Sequence, residues 1–156
     1  MIRLFFETIH VPLEGGVGSL TVIRLKGLVS FLQQDGKWSK LHAAIIDTGA
    51  HTSVLPEKIW KVAERKVILD YELRGINPRP ECAIPAQLAE ITCTLYDSSG
   101  NHSDDLLMPS LLAQSNEVPL ILGFAGLLSK FEVRFDYQVE SAYLLPTSMG
   151  LHEIAR

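Results

Sequence analysis

A single aspartate in a glycine turn is the feature of this sequence best suited to chemistry. Asp47-Thr48-Gly49 directly follows Ile45-Ile46, two β-branched residues that are typical of the end of a buried strand. Gly49 lets the backbone turn sharply and brings N–H groups close to the preceding carboxylate. A carboxylate fixed by backbone and hydroxyl donors at the end of a rigid strand is suited to acid–base catalysis. The same residues also fit a strand that ends in an ordinary Asx turn, so both interpretations are open at this point.

Length and composition favour one ordinary globular domain. The 156 residues are enough for a sizeable core, and 47% are apolar and 21% charged. The net charge of −4 argues against a nucleic-acid partner, because no basic patch is available to bind phosphates. No apolar run approaches the roughly 20 residues that span a bilayer, and the N-terminal segment lacks the apolar stretch of a signal peptide. We therefore expect a cytoplasmic protein with no membrane partner.

The cysteines and histidines do not suggest a metal or another cofactor. Cys82 and Cys93 have neither CxxC spacing nor a nearby histidine suited to zinc. We expect reduced thiols, although a disulfide between the two remains an alternative. No metal-ligand spacing is formed by the histidines outside the glycine turn, which are His10, His42, His102 and His152.

The segments before the glycine turn predict a strand hairpin. Residues 19–33 are mostly β-branched or long apolar residues, which predicts one long strand or two strands broken near Gly27. An Asp-Gly turn at 34–37 and a return strand over 38–47 would then deliver the turn that carries Asp47.

The second half of the chain continues the pattern of short strands. A short helix is predicted over 56–65, followed by strand-like residues 67–74. Residues 75–85 hold three prolines and a glycine, which predicts an exposed loop or the tip of a long hairpin. Further strands are predicted over 91–96, 104–112, 120–123, 131–137 and up to Leu145. The alternation places Ile91, Cys93 and Leu95 on one face of their strand, and Phe131, Val133 and Phe135 are expected to face inward.

These elements predict an all-β, closed, barrel-like fold with one or two short helices. We expect a single domain over residues 1–156, with a core at about 19–145 and loose N- and C-terminal extensions. The glycine-rich residues 13–18 lack a phosphate-loop motif, so a flexible turn is expected there.

Two motifs together resemble the retropepsin-like aspartic proteases. Asp-Thr-Gly-Ala at 47–50 is followed about seventy residues later by Leu-Ile-Leu-Gly at 120–123, then by a short helix and an alternating strand. The resemblance covers roughly residues 19–145. It implies a ψ-shaped loop in which the second motif crosses behind the catalytic aspartate, at Ile121, Leu122 and Gly123. It also implies a hairpin flap over substrate at 71–88.

The resemblance implies a role for each residue of the first motif. Asp47 would be the catalytic carboxylate, Thr48 would hydrogen-bond across a dimer axis, and Gly49 would offer its N–H to the carboxylate. Substrate contacts are implied in the cleft and the flap, at Ala50, His51, Gly75 and Ile76. The sequence departs from the viral members at His51, where they carry an aspartate, and in a flap with three prolines.

Peptide hydrolysis by aspartates requires two carboxylates that share one proton. The chain has one Asp-Thr-Gly and no duplicated half. The simplest solution is a homodimer in which Asp47 of each subunit meets its copy at a two-fold axis. The expected activity is that of an aspartic endopeptidase acting on peptides or proteins.

Other functions fit parts of the sequence. A catalytically weak or inactive member of the same fold could bind peptides or serve as a dimerisation module. An actin-like or sugar-kinase phosphate loop also uses an Asp-x-Gly turn, but those folds need a much longer chain. A serine or cysteine hydrolase is disfavoured because there is no G-x-S-x-G motif and neither cysteine has a local partner pattern.

Overall fold

The computed structural model describes residues 1–73 and 84–147 of the chain. Within them, strands dominate and helices are confined to two short segments, α1 (Glu57–Trp60) and a 3-10 helix (Leu128–Lys130). The strands are β1 (Ile2–Arg3), β2 (Phe5–Pro12), β3 (Ser19–Phe31), β4 (His42–Ile46), β5 (Ser53–Leu55), β6 (Arg65–Leu73), β7 (Ile84–Tyr96), β8 (Leu106–Ala113), β9 (Ile121–Leu122), β10 (Phe131–Asp136) and β11 (Ser141–Pro146). The predicted all-β fold is confirmed.

The larger sheet closes on itself through β3. Its strand order is β2-β3-β4-β9-β5-β8-β7-β6, and an additional pairing joins β3 to β7. Residues 26–29 of β3 pair with β4, while residues 28–31 pair with β7. This double use of one long strand makes a ring of β3, β4, β9, β5, β8 and β7. Closure satisfies backbone groups that an open sheet would leave unpaired at its edges.

The core fills this ring with side chains from alternating positions. Ile91, Cys93 and Leu95 of β7, which were predicted to share one face, are 0–1% exposed, so that face lies against the core. They belong to one cluster with Val29 and Phe31 of β3. Because these residues are two apart on a strand, they point to the same side of the sheet.

The first helix is shorter than the predicted segment 56–65. Helix α1 ends at Trp60, whose indole Nε1 donates a 2.7 Å hydrogen bond to the Ala113 carbonyl oxygen in the interior. Ala63 then bridges to Gln33, so tertiary pairing replaces further helical turns. No helix in the described ranges has the length and apolar character needed to cross a membrane.

The prediction of a loose N-terminal extension is wrong for residues 1–12. Strand β1 pairs with β11, and β2 pairs with β3 from Phe5↔Lys26 to Pro12↔Ser19. The physical reason is that the outer half of β3 extends beyond the ring, where its backbone groups need hydrogen-bond partners. Only residues 13–18 form the expected turn, closed by a 3.1 Å bond from the Leu13 N–H to the Gly18 carbonyl oxygen.

The inward orientation predicted for Phe135 is also wrong. Along β10 the exposed fraction rises from 9% at Phe131 to 61% at Phe135. Strand β10 lies at the edge of a three-stranded sheet of order β1-β11-β10. The alternation of β10 therefore continues past the point where the core ends, and the aromatic ring of Phe135 is left in solvent.

The thiol of Cys93 is expected to be almost inert in the native protein. It is free and fully buried, with its Sγ 3.8 Å from Met108 Sδ, and burial raises its pKa to about 12. Only the thiolate reacts, so a Cys82→Ser protein should react with a disulfide reagent at pH 8 at least about 10³-fold more slowly when native than when unfolded in denaturant. The alternative pairing with Cys82 falls outside the described residues, as does Cys82 itself.

Rapid native-state labelling of Cys93, at the rate of an exposed cysteine, would contradict this placement. A time course of labelling followed by mass spectrometry would separate the two outcomes.

Asp97 is expected to make stability depend on pH. Its carboxylate accepts hydrogen bonds from Asn101 Nδ2 (2.8 Å), from the Ser99 and Asn101 N–H groups, and from the Arg3 N–H on β1 (3.3 Å). The Asn101 side chain is the main cause of a lowered pKa, and burial opposes it. Because the pKa of Asp97 is lower in the folded than in the unfolded protein, its carboxylate stabilises the folded state at any pH above the unfolded-state pKa. This stabilisation is lost as the pH falls through the folded-state pKa.

The melting temperature of Asp97→Asn should therefore lie below that of the wild type near pH 7, and the gap should close as the medium is acidified. Differential scanning calorimetry from pH 7 to pH 3 measures it. Asp104→Asn, at an exposed position, serves as the control. A gap that is constant over this range would show that the charge of Asp97 does not matter.

Candidate active site

The aspartate turn lies where a strand crosses between two others. Asp47 directly follows β4, and the chain returns into the sheet as β5. Strand β9 lies between them. It pairs in parallel with β4 at Ile45↔Ile121 and Ile46↔Leu122, and antiparallel with β5 at Val54↔Ile121. The strand that enters the turn and the strand that leaves it are thus joined by the second motif, in a ψ-shaped arrangement.

The Asp47 carboxylate is held by its own turn. The Gly49 N–H donates a 2.8 Å hydrogen bond to Asp47 Oδ1, and the Ala50 N–H donates to the Asp47 carbonyl oxygen at 3.2 Å. The Asp47 N–H donates to the Leu122 carbonyl oxygen at 3.0 Å, which ties the aspartate to β9. Oδ1 is therefore fixed, while Oδ2 has no hydrogen-bond partner in the part of the chain that the structure describes. Asp47 is half-buried.

Gly123 lets the backbones of the two motifs approach each other closely. A Cβ atom at this position would lie 2.8 Å from the Ala50 carbonyl oxygen and from the Thr52 carbonyl carbon. Real Cβ contacts are not this short, and the atoms in the way are backbone. The Gly123 N–H donates a 3.0 Å hydrogen bond to Ser53 Oγ, and Ser53 is fully buried.

Ser53 is a residue of the site that sequence reasoning missed. Its hydroxyl joins the segment after the aspartate to the second motif. The available signal was a small hydroxyl residue directly before the apolar pair Val54-Leu55, in a segment that otherwise looks like a core strand.

The backbone carbonyl groups of Ala50 and His51, which follow the Asp-Thr-Gly turn, also tie it to the residues directly after the second motif. The Ala50 and His51 carbonyl oxygens accept hydrogen bonds from the Phe124 N–H (3.0 Å) and the Ala125 N–H (2.9 Å). Thr48 and His51 are exposed, and Ala50 is half-buried. The Thr48 hydroxyl forms no hydrogen bond with another described residue. The structure thus brings Asp47 to Ala50 together with Ile121, Leu122 and Gly123, and leaves the Thr48 and His51 side chains facing solvent.

The predicted flap contacts Gly75 and Ile76 lie outside the described residues. The hairpin that leads to them is present, with β6 and β7 paired antiparallel up to Leu73↔Ile84. The assignment of Gly75 and Ile76 to substrate binding stays a prediction.

In the part of the chain that the structure describes, the site offers a carboxylate with neither an ion-pair partner nor a metal-binding cluster around it. Within residues 1–73 and 84–147, no group of three or more His, Cys, Asp or Glu residues could hold a metal ion. Among the same residues, Asp47 takes part in no salt bridge. Among the described residues, the arrangement therefore provides a carboxylate with Oδ1 fixed by the Gly49 N–H and Oδ2 without a hydrogen-bond partner.

Comparisons with known proteins find similar solved structures, among them two proteases. A retropepsin-like aspartic protease from Rickettsia conorii is 13% identical over 92% of this chain and 96% of its own, with a TM-score of 0.46. EIAV protease complexed with the inhibitor HBY-793 is 24% identical over 64% of this chain and 81% of its own, with a TM-score of 0.35. No family model and no curated protein matches the chain significantly.

Proposed function

We propose that the protein is an aspartic endopeptidase that works as a homodimer. The observation that carries the proposal is the Asp47 carboxylate, which is held by the Gly49 N–H at the point where β9 crosses between β4 and β5. A carboxylate fixed on rigid strands can act on a water molecule without first having to be ordered.

The dimer follows from the chemistry. Two carboxylates a few ångströms apart cannot both ionise cheaply, so one holds a proton while the other is ionised. The ionised carboxylate removes a proton from water, and the protonated one donates to the carbonyl oxygen of the scissile bond. Because each chain supplies one Asp47, the second carboxylate comes from a second copy.

The exposure of the turn suits this assembly. Thr48 and Gly49 are exposed beside the half-buried Asp47 in a single chain. In the proposed dimer the Thr48 hydroxyl bonds across the two-fold axis, and Ala50 and His51 line the substrate cleft. Gly75 and Ile76 contact the peptide from the flap. The proposed location, the cytoplasm, rests on the sequence.

Cleavage of a diverse peptide mixture tests the proposal. The wild type is incubated between about pH 3 and pH 7, a range that brackets a carboxyl pair, with and without pepstatin, and the products are identified by mass spectrometry. We expect cleavage that pepstatin inhibits, together with a dimer by analytical ultracentrifugation. Asp47→Asn, purified in the same way, controls for contaminating peptidases.

Two other results would overturn the proposal. Equal cleavage by the wild type and Asp47→Asn would remove Asp47 from the chemistry. A folded dimer that cuts no peptide at any pH would favour the peptide-binding or dimerisation module instead.

A further inference from the structure

A cavity lies at the other end of β4 from Asp47. It has a volume of about 250 Å³ and lies among β3, the start of β4 and α1. Its apolar lining includes Val62, which is 51% exposed, while Phe31, Ile59 and Ala63 are almost wholly covered by protein. His42 and Asp47 are separated by the length of β4, roughly 16 Å at the rise of a strand, so this cavity is distinct from the aspartate turn.

Three groups that can carry positive charge line the same cavity. They are Lys40 just before β4, His42 at its first residue, and Lys58 on α1. Neither lysine has an ion-pair partner among the described residues. The nearest acid on α1, Glu57, is already bound to Lys61 at 2.9 Å. A protein with a net charge of −4 therefore has a locally positive cavity here.

The pKa of His42 is lowered in this cavity, which agrees with the positive charge of the two lysines. Burial lowers the pKa of His42, and the positive charges of Lys40 and Lys58 lower it further. The imidazole is half-buried, and its ring lies 6.0 Å from that of Phe31. An anion placed among the three groups would relieve the repulsion between the lysines and a protonated His42.

We propose that this cavity binds a small carboxylate that carries an apolar chain. The carboxylate lies between Lys40, His42 and Lys58, where both oxygens can accept charge-assisted hydrogen bonds. The chain lies against Val62, the apolar lining residue with exposed surface, so that part of the apolar surface of both is removed from water. The volume is below that of cavities for drug-sized ligands, so the apolar part is about as large as one aliphatic side chain.

Two sources share this chemistry, a free short-chain fatty acid and the C-terminal residue of a peptide. Hexanoate represents the first and N-acetyl-leucine the second. Hexanamide keeps the apolar chain without the charge, and inorganic phosphate keeps the charge without the chain. Binding of each probe is measured by calorimetry and by the NMR shifts of the His42 ring.

We expect saturable binding of at least one carboxylate, and the tighter of the two identifies the source. Hexanamide and phosphate should bind at least about tenfold more weakly. The double variant Lys40→Gln, Lys58→Gln should weaken carboxylate binding about tenfold, since two ion pairs to exposed lysines are lost. Lys37→Gln, a nearby lysine that does not line the cavity, is the matched control and should bind like the wild type.

Protonation gives a further readout. Lys40 and Lys58 are the charged groups that face His42, and a bound carboxylate should raise the pKa of His42 by linkage. Carboxylate binding should therefore tighten as the pH falls through the pKa of His42. The proposal is overturned if neither carboxylate shows saturable binding, if hexanamide or phosphate binds as tightly as the carboxylates, or if Lys37→Gln and the double variant lose equal affinity.

Discussion

Replacing Asp47 by Asn should lower kcat for peptide cleavage by at least about 10³-fold while the protein stays folded. Asparagine keeps the shape of the side chain, and its carbonyl oxygen can still accept the 2.8 Å hydrogen bond from the Gly49 N–H. It cannot remove a proton from water or share one with a second carboxylate. The loss should therefore appear in turnover and leave thermal stability nearly unchanged. Initial rates on the best peptide of the mixture, together with a melting curve, measure both.

Asp35 offers a matched control within the same chain. Its Oδ1 accepts a 3.0 Å hydrogen bond from the Lys37 N–H, two residues further along the chain. Asp47 accepts the equivalent bond from Gly49, but Asp35 lies in an exposed hairpin turn. Asp35→Asn should keep full activity. Equal loss in both variants would mean that the effect comes from the turn and not from the catalytic carboxylate.

Mixing the two forms tests the shared pair. In the proposed dimer, an excess of Asp47→Asn sequesters wild-type chains in dimers with one carboxylate. At a ninefold excess, roughly one dimer in a hundred would be wholly wild type after exchange, compared with about one in ten before it, so activity should fall about tenfold. Activity that stays proportional to the amount of wild type added would contradict a dimeric site.

Replacing Gly123 by Ala should destabilise the protein by about 3 kcal/mol, at the upper end of overpacking effects. The new methyl group would lie 2.8 Å from the Ala50 carbonyl oxygen and from the Thr52 carbonyl carbon, and 2.9 Å from the Thr52 carbonyl oxygen. Backbone atoms cannot rotate away as a flexible side chain can. The two motifs must separate, which weakens the bonds from Gly123 N–H to Ser53 Oγ and from Phe124 N–H to the Ala50 carbonyl oxygen. Urea unfolding measures the change in free energy.

Gly36→Ala separates close packing from backbone strain. Gly36 has a positive φ of 77° but open space around it, so alanine there costs only the strain of the left-handed conformation, about 1 kcal/mol. Gly123→Ala should therefore be clearly the more destabilising of the two, and it alone should also reduce cleavage. If both variants lowered the free energy of unfolding by a similar amount, the two motifs would not be in close contact in the folded protein.

The local turn at Asp47 could be predicted from the sequence, but its importance could not. Asp35, Asp97 and Asp136 also accept a hydrogen bond from the N–H two residues onward. What separates Asp47 from them is β9, whose pairing with β4 joins residues about seventy positions apart. The two motifs pointed to this pairing only through a resemblance to a known family, because no local rule links them.

The burial of side chains could be predicted for strands within the ring, but the prediction failed where the ring does not cover the strand. The alternation in β7 grouped Ile91, Cys93 and Leu95 correctly on one face, and that face is buried because both neighbours of β7 in the ring carry apolar residues to the same core. The same alternation in β10 placed Phe135 in the core, whereas 61% of it is exposed. Alternation defines two faces of a strand, but a neighbouring element decides which positions on a face are covered.

The sequence alone determined the elements whose hydrogen bonds are local: the turn at Asp47, the Asp-Gly hairpin before β4 and the start of the short first helix. The tertiary structure decided the closure through β3 and β7, the pairing of β2 along β3, the role of Ser53 and the need for glycine at position 123. Turns are fixed by hydrogen bonds between residues a few positions apart, so they can be predicted from the local sequence. Pairing between distant strands depends on which partners satisfy the remaining backbone groups and bury the most apolar surface, and only the folded chain makes that choice.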